Sequence, residues 1–157
     1  MEWYNFKRQK LYASIHEVVE NAIIKELNEG HRLKICIGCD SQVKGKIVDF
    51  ATVVLILREK KGGFMYFKIQ RKMQTMSIKE RMITEVGIAV NTAFDLCPIL
   101  DKYPVGLEVH ADINSDPSFK SNVALKEAMG YILGMGYTFK AKPDAFASSC
   151  CADRLVH

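Results

Sequence analysis

Four carboxylates stand where secondary-structure propensity would not place them. Asp40 closes the apolar run Ile35-Cys36-Ile37-Gly38-Cys39, and Asp112 closes the run from Val105 in the same way. Each reads as the last residue of a β-strand, where an aspartate either forms a turn or faces a ligand beyond the strand ends. Glu85 falls on the helical stripe Ile78, Met82, Val86, Ala89 and Ala93, and Asp153 on the stripe Phe146, Cys150 and His157. An inward carboxylate costs roughly several kcal/mol unless it is paired or ligates a metal. Converging carboxylates repel one another unless a cation neutralises them. Magnesium or manganese suits such an oxygen-rich set. Two such ions can activate a water and stabilise the leaving oxygen of a phosphodiester. Residue by residue the alternatives are plainer: turn formation for Asp40 and Asp112, a basic partner for Glu85, a surface acid for Asp153. The coincidence of four is what points to one site.

Other residues are candidate accessories. His110 shares a strand face with Asp112 and suits acid–base work, or sits as a satisfied structural histidine. Asn114 follows Asp112 closely enough to touch a phosphate, or makes the turn. Asp116 and Asp144 are oxygen donors, but each also reads as a helix N-cap. His157 lies one turn beyond Asp153, where the helix end is expected to fray. Cys36 and Cys39 have CxxC spacing, but residues three apart on a strand point to opposite faces, so they do not read as a zinc pair.

The elements that must position these groups follow from periodicity. Ser14 and Glu17 cap a helix from Ile15 to Glu29, with Gly30 as its stop. Strands are expected at Arg32–Asp40, Ile47–Leu57 and Phe64–Gln70, joined by short turns into a meander. Ser77 and Glu80 form a second capping box, opening a helix to about Leu96, with Pro98 just beyond. A strand over Val105–Asp112, a helix from Asp116-Pro117 to Gly134, a strand over Tyr137–Ala141 and a last helix from Pro143-Asp144 complete the order. The result is an extra helix followed by β-β-β-α-β-α-β-α: an α/β fold with a five-stranded mixed sheet and helices on both faces. Residues 1–31 read as a helical extension and 32–157 as the core of a single domain.

The chain has 157 residues, 48% hydrophobic and 25% charged, enough for one core without disulfides or structural metal. The apolar runs, such as Val53 to Leu57, are too short to span a bilayer. The start lacks the apolar stretch of a signal peptide, and the five cysteines read as reduced thiols, so a cytoplasmic location is expected. Net charge is +4, yet Arg58 to Arg81 holds eight basic and two acidic residues. Such a field steers a polyanion, or is a solvated strand edge protected from pairing. Within it, Lys68, Arg71 and Lys72 are the candidate nucleic-acid contacts. Trp3, Tyr4 and Phe6, beside Lys7 and Arg8, either stack bases or anchor the first helix.

The motifs resemble the ribonuclease H-like superfamily. Its members carry a meander, then helix, strand, helix, strand, helix, with an acidic site like that of Asp40 in Ile-Gly-Cys-Asp-Ser-Gln, Glu85 in Thr-Glu-Val-Gly-Ile-Ala, Asp112 in Val-His-Ala-Asp-Ile-Asn and Asp153 in Cys-Ala-Asp-Arg-Leu-Val. The runs Gly38–Gln42, His110–Asn114 and Lys142–Ala147 are similar to the bacterial YkuK-like branch. Lys140 to Ala147 lacks the loop histidine that many ribonucleases H carry, and Ser41-Gln42 replaces the commoner Gly-Ser after the first aspartate. The resemblance implies a magnesium- or manganese-dependent nuclease acting on RNA or an RNA–DNA hybrid, with Asp40, Glu85, Asp112 and Asp153 holding the metal. The competing expectation is a non-catalytic module that binds nucleic acid or a protein partner.

Overall fold

The computed structural model describes residues 1–111, 123–134, 136–141 and 144–157. It begins with a two-residue strand, β1 (Tyr4–Asn5). Ser14 then accepts a hydrogen bond from the Glu17 N–H at 3.2 Å and opens α1 (Ile15–Asn28). Three long strands follow as an antiparallel meander: β2 (Leu33–Lys44), β3 (Ile47–Arg58) and β4 (Gly63–Lys72). Then come α2 (Ile78–Leu100), β5 (Gly106–His110), α3 (Val123–Gly134) and β6 (Thr138–Lys140). The chain finishes with a π-helical turn (Ala147–Ala152) running into α4 (Asp153–Val156).

The strands form one mixed sheet of order β1-β4-β3-β2-β5-β6, in which β5 runs parallel to both β2 and β6. Five strands were expected and six are present, because Tyr4 pairs with Phe67 on the outer edge of β4 and their rings stack at 5.7 Å. Two residues carry no readable period, so sequence pattern could not find β1.

The alternation of β2 divides the core. Leu33, Ile35, Ile37 and Cys39 pack with Val19 and Ile23 of α1, Ala89, Ala93 and Leu96 of α2 and Ile132 of α3. Cys36 faces the other side, with Ala51, Val53, Leu55 and Phe67 beneath Ala147, Ala152 and Val156. The two cysteines of the CxxC spacing are thus on opposite faces.

Four local expectations are corrected. The helix α2 runs through Pro98 to Leu100, since a proline in the last turn removes only one hydrogen bond and Leu96, Ile99 and Leu100 remain buried. Its first apolar residue, Ile78, is 69% exposed, so the inward stripe begins later. At 23 residues α2 is long and apolar enough to cross a membrane by length and composition, but its stripe is buried on the sheet. Asp144 is exposed and does not cap the last helix: Phe146 precedes the π turn without a side-chain cap. The wide π turn also rotates the helical stripe, leaving Cys150 exposed while Ala147 and Ala152 face the sheet.

One glycine sets the spacing between that turn and the sheet. A Cβ on Gly38 would lie 2.5 Å from the Ser148 backbone nitrogen and 2.6 Å from the Ala147 carbonyl carbon. Only glycine lets the C-terminal segment rest directly on β2, two residues before Asp40.

Candidate functional site

Asp40 and Ser41 are consecutive on β2 and therefore point to opposite faces of the sheet. The strand continues four residues past Asp40, so Asp40 lies within it and not at its end. It sits opposite Ala51 of β3, two residues beyond the last pair with β5, Gly38↔His110. Among the described residues the pairing with β5 ends there.

On the face covered by the C-terminal segment, Asp40 meets Asp153 and His157. The His157 Nε2 lies 3.2 Å from Asp153 Oδ1 and 3.7 Å from Asp40 Oδ2. Donor atoms from these three side chains all fall within 4.8 Å of one another. Asp40 is buried, with 8% of its surface exposed. Burial, with Asp153 beside it, raises its carboxyl to a pKa of about 6, against the opposing pull of the Ser41 backbone and His157.

On the α2 face, the Ser41 hydroxyl donates to Glu85 Oε1. Arg81, one turn before Glu85, donates from its guanidinium to both the Ser41 carbonyl and hydroxyl at 3.3 Å. Glu85 is also buried, and burial and the Asp40 charge raise it to about 7 despite Ser41 and Arg81. Glu80 does what its spacing suggested: it accepts from the Ser77 N–H at 2.7 Å while the Ser77 hydroxyl accepts from the Glu80 N–H at 3.1 Å. Glu85 is thereby left as the inward acid of α2.

The structure thus brings Asp40 and Asp153 together with His157 on one face, and joins Glu85 to Ser41 and Arg81 on the other. Asp112, Asn114 and Asp116 lie outside the described residues. Strand alternation after Asp40 could have flagged Ser41, and the i−4 spacing from Glu85 could have flagged Arg81. His157 has the right spacing from Asp153, and its place at a helix end is what hides it in the sequence.

His110 lies apart from this cluster in role. It is fully buried, its Nδ1 accepts from the Ala147 N–H at 3.1 Å, and its Nε2 donates to Glu108 at 2.9 Å. Nδ1 thus ties the π turn to β5, while Nε2 is held by Glu108 on the same strand. Cys36, Glu108 and His110 also have closely grouped donor atoms. Metal binding at Nε2 would put the remaining proton on Nδ1, against the Ala147 N–H, so this set suits a hydrogen-bonded neutral histidine better. Burial also lowers the His110 pKa and pushes the Cys36 thiol up to about 12, both favouring neutral forms.

The three candidate basic contacts sit in different settings. Arg71 is committed to Asp49, donating from Nε at 2.8 Å and from a terminal nitrogen at 3.2 Å. Lys72 is exposed, its ammonium 5.5 Å from the Phe50 ring centre. Lys68 is half-buried, its ammonium 5.0 Å from the Trp3 ring centre.

The donor set fits a hard divalent cation. Burial raises the Asp40 and Glu85 carboxyls, with Asp153 adding to the shift at Asp40 and Asp40 to that at Glu85, and carboxyls raised in this way are relieved by added positive charge. Carboxylate oxygens with one imidazole accommodate magnesium or manganese.

Comparison with known proteins adds three findings. A family model described as Ribonuclease H-like matches residues 14–157. Among solved structures, the chain is similar to one described as RNase H1 from the halophilic archaeon Halobacterium salinarum NRC-1. The identity is 12%, over 73% of this chain and 89% of that chain, with a TM-score of 0.39. No curated protein matches the sequence.

Proposed function

The chain belongs to the ribonuclease H-like family, and from that premise we propose that it is a divalent-metal-dependent nuclease acting on RNA or an RNA–DNA hybrid. The observation that carries this reading is the meeting of Asp40, Asp153 and His157 on one face of β2 with Glu85 reaching the same end of the sheet from the other. Asp40, Glu85 and Asp153 would hold magnesium or manganese. Asp112 joins them on sequence grounds: it stands two residues after His110, as Asp40 stands two after Gly38, the pairing partner of His110. When bound, the ions supply Lewis-acid stabilisation of a phosphodiester undergoing hydrolysis.

The protein's own groups have separable roles in this reading. Ser41 and Arg81 hold the Glu85 carboxylate in place. Gly38 and the π turn set the distance between Asp153 and Asp40. Lys72 and Lys68 attract the phosphate backbone, while Arg71 acts through Asp49 on the sheet. The sequence runs shared with the YkuK-like branch favour placement of the chain there.

The test is cleavage of labelled single-stranded RNA, RNA–DNA hybrid and DNA with magnesium or manganese, comparing wild type with Asp40→Asn. Cleavage by wild type, lost in the variant, is expected for RNA or hybrid. No cleavage of any substrate at enzyme excess with either metal would overturn the nuclease reading.

A further inference from the structure

On the α2 face of the sheet, about one helical turn beyond Glu85, a cleft of about 430 Å³ opens between α2, β4 and the N-terminal segment. Its volume is within the range of small-molecule sites, roughly 300–1,000 Å³. The walls differ in chemistry. Trp3 borders the cleft, and Phe94 adds an aromatic side chain with 56% of its surface exposed. Between them lie Lys68 and Gln70 from β4 and Asn91 and Asp95 from α2.

Gln70 supplies the most specific clue. Its Oε1 is buried and has no hydrogen-bond partner among the described residues. A buried acceptor left without a donor costs about 1–3 kcal/mol, so water or a ligand N–H group must satisfy it. Asp95 is engaged 3.1 Å from His16, and the lining cation is Lys68, whose ammonium lies 5.0 Å from the Trp3 ring centre and would turn from the ring to a phosphate when a base takes its place. Burial lowers the Lys68 pKa, so an anion beside it would restore what desolvation removes.

We propose that this cleft is a nucleotide subsite, in which a base lies against Phe94 and Trp3, a base N–H donates to Gln70 Oε1, and the phosphate meets Lys68. Flat aromatic surface, a buried acceptor and one cation together match a nucleobase carrying a phosphate better than a purely apolar or purely anionic ligand. The inference rests on the nuclease reading for its link to catalysis. Ile88 lines the cleft and follows Glu85 by three residues, about 4.5 Å of helix rise. A nucleotide here would be a neighbour of the one whose phosphodiester is cut, and would select single-stranded or locally unpaired substrate.

Trp3 is the sole tryptophan, so its emission reports on the cleft directly. The experiment is titration of the full chain, with chelator and no divalent ion, with adenosine, cytidine and uridine monophosphates, and with ribose 5-phosphate as a baseless control. At least one nucleotide should change the emission saturably. Phe94→Ala and Gln70→Leu should each weaken that binding about tenfold, with melting temperatures close to wild type. Ribose 5-phosphate should need at least a tenfold higher concentration. Absence of a saturable response, an equal response to ribose 5-phosphate, or unchanged affinity in both variants would overturn the proposal. The titration involves no metal and no bond cleavage, so its failure leaves the nuclease reading standing. Conversely, a saturable response in a protein that cuts nothing would remove only the link to catalysis.

Discussion

Asp40 and Asp49 are both buried aspartates on the same face of adjacent strands, with 8% and 3% of their surfaces exposed. Asp49 is held by two N–H groups of Arg71 and by Lys44 at 3.4 Å, and these cations keep its carboxyl below the ordinary range. Asp40 faces Asp153, with Glu85 close by, and its carboxyl is raised to about 6. The chain therefore meets the cost of burying an acid in two ways. Beside Asp49 the compensating charge is built into the sheet. Beside Asp40 stand Asp153 and the imidazole of His157, and no lysine or arginine pairs with it among the described ion pairs. A buried acid with its own cation belongs to the architecture; under the proposed function, a buried acid among other acids is where a cation from solution would bind.

That difference is broken most sharply by the matched pair Asp40→Asn and Asp49→Asn. Asp40→Asn should lower metal-dependent cleavage by about 10²-fold or more, the scale of losing a group that acts in the transition state. Its metal-free stability should be unchanged or raised, because a repelled charge is removed. Asp49→Asn should do the reverse. It should cost up to about 1 kcal/mol in denaturant unfolding, since the Arg71 and Lys44 side chains that lose their anion are largely exposed, while cleavage stays within a few-fold of wild type. Equal losses of activity in both variants would erase the distinction.

The pair also shows how far sequence reasoning reaches. Asp40 was legible because an apolar run ended in an acid, and Glu85 because an acid interrupted a helical stripe. The meander, the parallel return of β5 beside β2 and the capping box at Ser77 follow from the same local rules. Asp49 was not legible as a paired acid, because its partner Arg71 is 22 residues away and meets it only through the β3–β4 register. Glu26 was missed for the same reason: it is buried on the stripe of α1 with Arg58 Nε 2.9 Å away. The π turn was also hidden, since it rests on Gly38 of a strand more than a hundred residues earlier in the chain and local helix propensity does not signal it.

The second difference is one of sign with pH. The raised acids, Asp40 at about 6 and Glu85 at about 7, take up protons in the folded state before the unfolded chain does. Metal-free wild type should therefore gain stability as pH falls from about 8 through 7 and 6, with the gain complete near the unfolded carboxylate range at about 4. Asp49 is depressed, so its contribution is present above the unfolded value and is lost as pH falls through the folded one. Urea unfolding at several pH values should show a rise towards pH 5 and a fall below 4. Asp40→Asn and Glu85→Gln should each flatten the rise, and Asp49→Asn should flatten the fall. Stability that instead increases steadily from pH 5 to 8 would mean the Asp40 cluster carries no net repulsion.

The smallest expected effect separates Arg71 from Lys72, neighbours in sequence on opposite faces of β4. Arg71 has its charge spent on Asp49, whereas Lys72 is exposed and paired with no carboxylate among the described ion pairs. Lys72→Ala should weaken binding of a single-stranded RNA a few-fold and lower the slope of log affinity against log salt by about 0.7. Its folding stability should change by less than about 0.5 kcal/mol. Arg71→Ala should leave the salt slope nearly intact and register in unfolding, because it strips Asp49 of its principal partner. Should Arg71→Ala remove as much salt dependence as Lys72→Ala, the guanidinium would be serving phosphate and carboxylate together, and the boundary between architectural and substrate-facing charge would have to be drawn at Asp49 itself.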